Sequence, residues 1–147
     1  MYATVLFIHS WIRWIALVAS VGTVLAAIRR QDATTERWAM VAMMALDIQM
    51  LIGLILYLGL SPNMSEILAH FGDAMKDPTA RFWAVEHITA MFGAVILAHA
   101  GRVLARKARS ADAKRFRLLV CFGVATLLMI AGMPWPGRPG GRPLFRV

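Results

Sequence analysis

One cysteine, Cys121, stands in this chain of 147 residues. A single thiol excludes an intrachain disulfide and a cysteine-based metal cluster. It lies in an apolar stretch, where cysteine is a small packing residue. Acidic residues are also few: eight Asp and Glu face sixteen Lys and Arg, for a net charge of +8. In a soluble protein that excess would suggest nucleic acid. Here the basic residues gather at the ends of apolar stretches, so membrane topology explains them and no nucleic-acid partner is expected. Lys and Arg are themselves missing from residues 14–28, 38–60, 82–101 and 118–137. A helix needs about 20 residues to cross a hydrocarbon core of about 30 Å. Residues 1–4 lack a basic leader region, so the first apolar stretch is expected to persist as a helix.

What remains is mostly apolar. Hydrophobic residues make up 59% of the chain, above the roughly 45–50% of a soluble domain, and the mean hydropathy is +0.62. The expected fold is all-α: one integral membrane domain, a four-helix antiparallel bundle with spans at about 3–28, 37–60, 79–108 and 112–133. A polar turn is expected at 31–36, and a tail at 134–147 that folds over the outer end of the bundle. Between the second and third spans, Asn63 can cap a short helix with Glu66 at its third position. Ile67, Leu68, Phe71 and Met75 then form its apolar face, as in an amphipathic helix on the membrane surface. Trp11, Trp83 and Trp135 fall toward the same side, as in an aromatic belt. Arg29, Arg30, Arg37 and the basic run in 102–117 outnumber Lys76, Arg81, Arg138, Arg142 and Arg146 on the other side. The positive-inside rule then puts both termini in the periplasm of a bacterial inner membrane.

Three of the four stretches carry groups that lipid tolerates poorly. His9 and Arg13 fall in the first, Asp47 in the second, and Glu86, His87 and His99 in the third. On insertion scales such a group costs roughly 2.5–3.5 kcal/mol, so it is expected to face a bundle interior. A rise of about 1.5 Å per residue places His9, Glu86 and His87 in one plane, roughly 7–10 Å below the outer surface. Arg13 lies one turn deeper than His9. Asp47 lies near the middle of helix two, close enough in depth to pair with Arg13 or to reach it through Gln49.

His9 and His87 are the histidines at matched depth on different helices, and a b-type haem needs two such axial ligands. His99 lies some 18 Å along the helix from His87 at a rise of about 1.5 Å, so it is read as an interhelical hydrogen-bond donor. Arg81 and the tail arginines lie on the side where propionates would emerge, and Glu86 could support a ligand or carry protons. Other readings stay open. The same residues could be a structural polar network. His9, Glu86 and His87, with His70, could bind a metal ion, although helical neighbours diverge by about 100°. Met40, Met43, Met44 and Met50 could pass copper, although methionine is more simply core filler. Arg13, Asp47, Gln49 and Glu86 could handle protons or a quinone.

Several motifs carry a resemblance. His9-Ser10-x-x-Arg13-Trp14, Gln49-x-x-x-Gly53-Leu54-x-Leu56-Tyr57, Arg81-Phe82-x-x-x-Glu86-His87-x-x-x-Met91 and Pro134-Trp135-Pro136 with Arg142-Pro143-Leu144-Phe145 span most of the chain. The pattern resembles small bacterial four-span membrane proteins often labelled cytochrome-b-like. That label implies haem b and electron transfer. Relatives of that kind often carry histidine where this chain has Asp47. The leading expectation is a b-type cytochrome-like protein linked to the quinone pool, with one haem b between helices one and three. His9 and His87 would ligate its iron, Arg81 would contact the cofactor, and Arg13, Asp47 and Glu86 would tune potential or carry protons. The competing expectation is a non-catalytic accessory subunit of a larger respiratory or photosynthetic membrane complex, or a homo-oligomer in lipid.

Overall fold

Sequences this apolar form long helices because a backbone in hydrocarbon must satisfy its own hydrogen bonds. A computed structural model describes residues 1–145, and among them there is no strand. Arg146 therefore lies outside the described residues. Helix α1 runs Tyr2–Ile28 and α2 runs Asp32–Ile55. A π-helical turn, Leu56–Leu60, continues α2 to Ser61. Two short helices follow, α3 (Pro62–Ala69) and α4 (Phe71–Ala74). Helix α5 (Pro78–Arg81) passes through a second π-helical turn, Phe82–Glu86, into α6 (His87–Arg106). Helix α7 spans Ala111–Gly132. Tyr2–Ile28, Asp32–Leu60, Pro78–Arg106 and Ala111–Gly132 are each long and apolar enough to cross a membrane.

Two boundaries differ from the sequence reading. The stretch 31–36 is not a turn. Gln31 caps α2, its carbonyl accepting from both the backbone N–H and the hydroxyl of Thr35 at 2.8 Å. The Asp32 carboxylate sits in the first turn, where the helix dipole favours it. The reversal is confined to 29–31, with Arg30 in the left-handed region at φ 59°. The surface helix is capped by Ser61, not Asn63. The Ser61 hydroxyl accepts from Met64 N at 3.3 Å, and Pro62 takes the first helical position, where its missing N–H costs nothing. Asp77 and Pro78 repeat the device: the Asp77 carboxylate accepts from Ala80 N at 2.6 Å, so this pair opens α5 as well as ending the loop.

Small residues make the core. Ala16, Ala19, Ala39, Ala42, Ala94, Ala98 and Ala125 are fully buried around Leu46, Leu118 and Phe122. Small side chains let helix backbones approach in lipid, where packing drives association. Gly132 shows how close α6 and α7 come: a Cβ there would stand 2.7 Å from the Ala90 Cβ. Ser20 of α1 and Thr126 of α7 share a buried hydrogen bond of 2.8 Å.

The basic end is tied by ion pairs. Arg115 reaches Asp32 at 2.9 Å and Asp112 at 2.6 Å, Arg30 reaches Asp112 at 2.6 Å, and Lys114 pairs with Glu36. The turn after α1 and the turn before α7 therefore share one end of the molecule. At the other end, the tail folds inward as the sequence suggested. Arg142 N donates to Pro134 O at 3.1 Å, and Trp14 Nε1 donates to Leu144 O at 3.3 Å. Phe145 stacks on Trp14 at 5.4 Å between ring centres.

Candidate functional site

The tail end of the molecule encloses a cavity between α1, α2 and α6. His9 comes from α1, Gln49 and Gly53 from α2, His87 and Met91 from α6, Trp83 from the second π-turn and Arg142 from the tail. Its enclosed part is narrow, about 90 Å³, within about 820 Å³ of atom-free space that runs into the surroundings. A second cavity of about 60 Å³ adjoins it, sharing His9, Gln49 and His87 and adding Arg13.

His87 and Gln49 each have an identifiable holder. The His87 ring lies 6.5 Å from the His9 ring, centre to centre, with the planes 72° apart. His87 Nδ1 meets Gly132 O at 2.7 Å, which fixes the ring and leaves Nε2 for another partner. Trp83 and Phe82 flank it at 5.5 and 5.9 Å. Gln49 Nε2 donates to the His9 carbonyl at 2.8 Å, joining α2 to α1 beside the site. His9 Nδ1 and Gln49 Oε1 are buried with no hydrogen-bond partner among the described residues. Gly53 leaves room for the His9 ring, since a Cβ there would stand 3.1 Å from His9 Cε1.

The two π-turns frame the mouth. A π-turn leaves a carbonyl out of the regular ladder, and such turns recur at functional sites. Here Tyr57 from the first donates its hydroxyl to Ala84 O in the second at 2.7 Å. The Arg142 guanidinium lies 4.8 Å over the Trp83 ring, a cation held at the rim. Trp83 is thus a wall of the site, where the sequence reading placed it in the aromatic belt.

The structure gathers some of the expected residues and separates others. His9, His87 and Gln49 come together, and Arg13 lines the adjoining cavity. Arg13 turns toward the tail, donating to Leu144 O, with its guanidinium 5.3 Å from the Trp14 ring centre. It makes no ion pair with Asp47. Asp47 instead meets His99 Nε2 at 2.8 Å across α2 and α6. That corrects the expected Arg13–Asp47 pair. Helical rotation decides it: Asp47 points along the α2–α6 seam, away from α1. His99 is the interhelical hydrogen-bonding group the sequence suggested. Glu86 pairs with Arg81 at 2.9 Å, both half-exposed, and neither lines either of these two cavities. Among the described residues, no three His, Cys, Asp or Glu converge as a metal-holding group, so His9, Glu86, His87 and His70 do not form one.

Trp83, Tyr57 and Gly53 were not assigned to the site from sequence alone, and Arg142 was placed on its side only as one of the tail arginines. Their signal lies in the Gly53–Tyr57 and Arg142–Phe145 motifs, whose physical use is visible only once the tail and π-turns meet. No protein-family model, curated protein or solved structure matches the chain.

Proposed function

We propose that this is a small b-type cytochrome-like membrane protein in which His9 and His87 hold one haem b between α1 and α6. The observation that carries the reading is the His9–His87 pair, brought together from α1 and α6. An iron between two imidazoles needs two metal–nitrogen bonds of about 2.0 Å each, plus about 1.1 Å from each nitrogen to its ring centre. That sum is roughly 6 Å when one nitrogen of each ring turns toward the other, and the ring centres here are 6.5 Å apart. The donor set fits in other respects. The carbonyl of Gly132 on His87 Nδ1 is the kind of support that orients a metal-bound imidazole. The unpartnered His9 Nδ1 and the Gly53 notch leave that ring its own space. The room suits a group that is only partly enclosed.

Bound there, haem would supply one-electron transfer. The chain's own residues do the rest. Arg142, held over Trp83, places a positive charge at the rim, where carboxylate substituents of the group would find it. Leu6, Leu46, Leu54 and Met91 keep water from the ligand pair. Gln49 keeps α2 fixed against α1 at the depth of His9. Arg81 and Glu86 neutralise each other outside the cavity, and Asp47 is engaged elsewhere.

In this reading the four spans form an antiparallel bundle in a bacterial inner membrane, with the basic end cytoplasmic and both termini periplasmic. Helices α3 and α4, with Leu68 and Phe71 exposed, lie on the outer lipid surface. Electrons are exchanged with the quinone pool and an outer-face partner. The test is the visible spectrum of protein made with ample haem, before and after dithionite. The expected result is a Soret band lost in His9→Ala and in His87→Ala, with helical circular dichroism retained. A colourless wild-type protein overturns the cofactor. A band that survives both substitutions overturns the ligands.

A further inference from the structure

The Asp47–His99 pair faces outward. Its side chains are 43% and 50% exposed, among apolar neighbours on both spans. It lies within the apolar part of α6, one turn beyond Arg102. Polar groups facing hydrocarbon at that depth are rare because nothing in lipid satisfies them. Around the pair, Met44, Ile48 and Leu51 on α2 and Phe92 and Ile96 on α6 are also exposed, and Ile96 and Leu51 are each 62% exposed. The span containing α6 is the least covered of the four: 22% of its most apolar window is buried, against 39% in α7.

We propose that this α2–α6 face is the interface of a homodimer, closed on the Asp47–His99 pair of each copy. The occupant follows from the complementarity of the patch with itself. Asp47 and His99 engage one another through one carboxylate oxygen and one ring nitrogen each, which leaves the second oxygen and the second nitrogen facing outward. A two-fold axis through the patch sets the second carboxylate oxygen of each copy against the second ring nitrogen of the other, so the surface supplies what it lacks. The four groups then form a closed hydrogen-bonded ring, shielded from lipid by the surrounding Met, Ile, Leu and Phe side chains. Arg102 extends the seam toward the basic end, where its guanidinium reaches Glu36 O at 3.2 Å and Met40 Sδ at 3.6 Å. The inference does not depend on haem.

The test is cross-linking in native membranes, in a Cys121→Ala background. Ile96→Cys should give an oxidant-dependent band at twice 16.3 kDa. Leu127→Cys, on the exposed face of α7, should stay monomeric. Adding Asp47→Leu with His99→Leu to the Ile96→Cys protein should reduce the cross-linked fraction at least tenfold, and mass measurement in mild detergent should fall from dimer to monomer. Several results overturn the proposal. One is a wild-type monomer in both membranes and detergent, with or without a lipid-soluble molecule bound on this face. Another is cross-linking of Ile96→Cys to a different protein, which would mark an accessory subunit. A third is a folded Asp47→Leu/His99→Leu protein that dimerises as before. If that double variant does not fold, the contrast between Ile96→Cys and Leu127→Cys still decides.

Discussion

At the residue scale, ionisable groups in the apolar spans are held by specific neighbours rather than by one shared network. Asp47 and His99 meet directly, while Arg13 turns to the tail carbonyl of Leu144. The two sites should therefore be energetically separate. Asp47→Ala and His99→Ala should be non-additive in a double-mutant cycle followed by thermal melting, with a coupling of about 0.6–1.7 kcal/mol, the range for hydrogen bonds in membranes. Arg13→Ala with Asp47→Ala should be additive within about 0.5 kcal/mol. Strong coupling between Arg13 and Asp47 would contradict the observed geometry. Gly53 gives a second test. The methyl of Gly53→Ala would press on His9 Cε1 from 3.1 Å, so the ring must shift by a few tenths of an ångström. The expected outcome is a folded protein whose Soret maximum or reduction potential moves. An unchanged spectrum would show that His9 has slack on that side.

At the scale of elements, the tail-side end departs most from regular helix. Both π-turns lie there, and Tyr57 joins them through Ala84 O. Tyr57→Phe leaves that carbonyl without its donor while keeping the ring. It should cost about 1–3 kcal/mol, read as a lowered melting temperature in detergent. Ser61→Ala removes the cap of α3 and should cost about 1 kcal/mol, whereas Asn63→Ala should cost much less. If Asn63→Ala proved the more damaging, the capping assignment would be wrong. Gly132 couples packing to the site, because its Cα touches α6 and its carbonyl orients His87. Gly132→Ala should cost about 1–3 kcal/mol by overpacking against Ala90. It should also perturb the His87 environment, which a tail-distant substitution such as Leu127→Ala should not.

At the scale of the whole molecule, the C-terminal tail completes the site. It brings Arg142 to the rim and packs Phe145 on Trp14. Truncation after Gly137 should leave the four long helices intact by circular dichroism, because their contacts lie elsewhere. It should lower the melting temperature and loosen retention of any bound cofactor. A truncated protein as stable as the full chain would show that the tail is an ornament. The opposite end, with Arg115 between Asp32 and Asp112, should be cytoplasmic. A cysteine introduced in 106–114 should be labelled only after the inner membrane is breached, and labelling in intact cells would invert the topology.

Much of this fold was legible in the sequence. Runs without Lys or Arg marked the spans, prolines and the Ser61 and Asp77 positions marked their ends, and the spacing of His9 and His87 from those ends put them at one depth. Depth along a helix is a matter of counting at about 1.5 Å per residue, which needs no tertiary information. Rotation about the helix axis is different. In water, an apolar stripe shows which face turns inward. In lipid, the core and the surroundings are equally apolar, so the pattern does not record which face is which. That is why Asp47 could be placed along helix two yet assigned the wrong neighbour, and why an outward-facing polar pair was not foreseen. The same holds for Arg142, Trp83 and Tyr57, whose places depend on a tail fold and two π-turns made by contacts across the chain. The sequence determined which stretches are long and apolar enough to cross a membrane and where along each one the ionisable residues fall. Only the tertiary structure decided which of them meet.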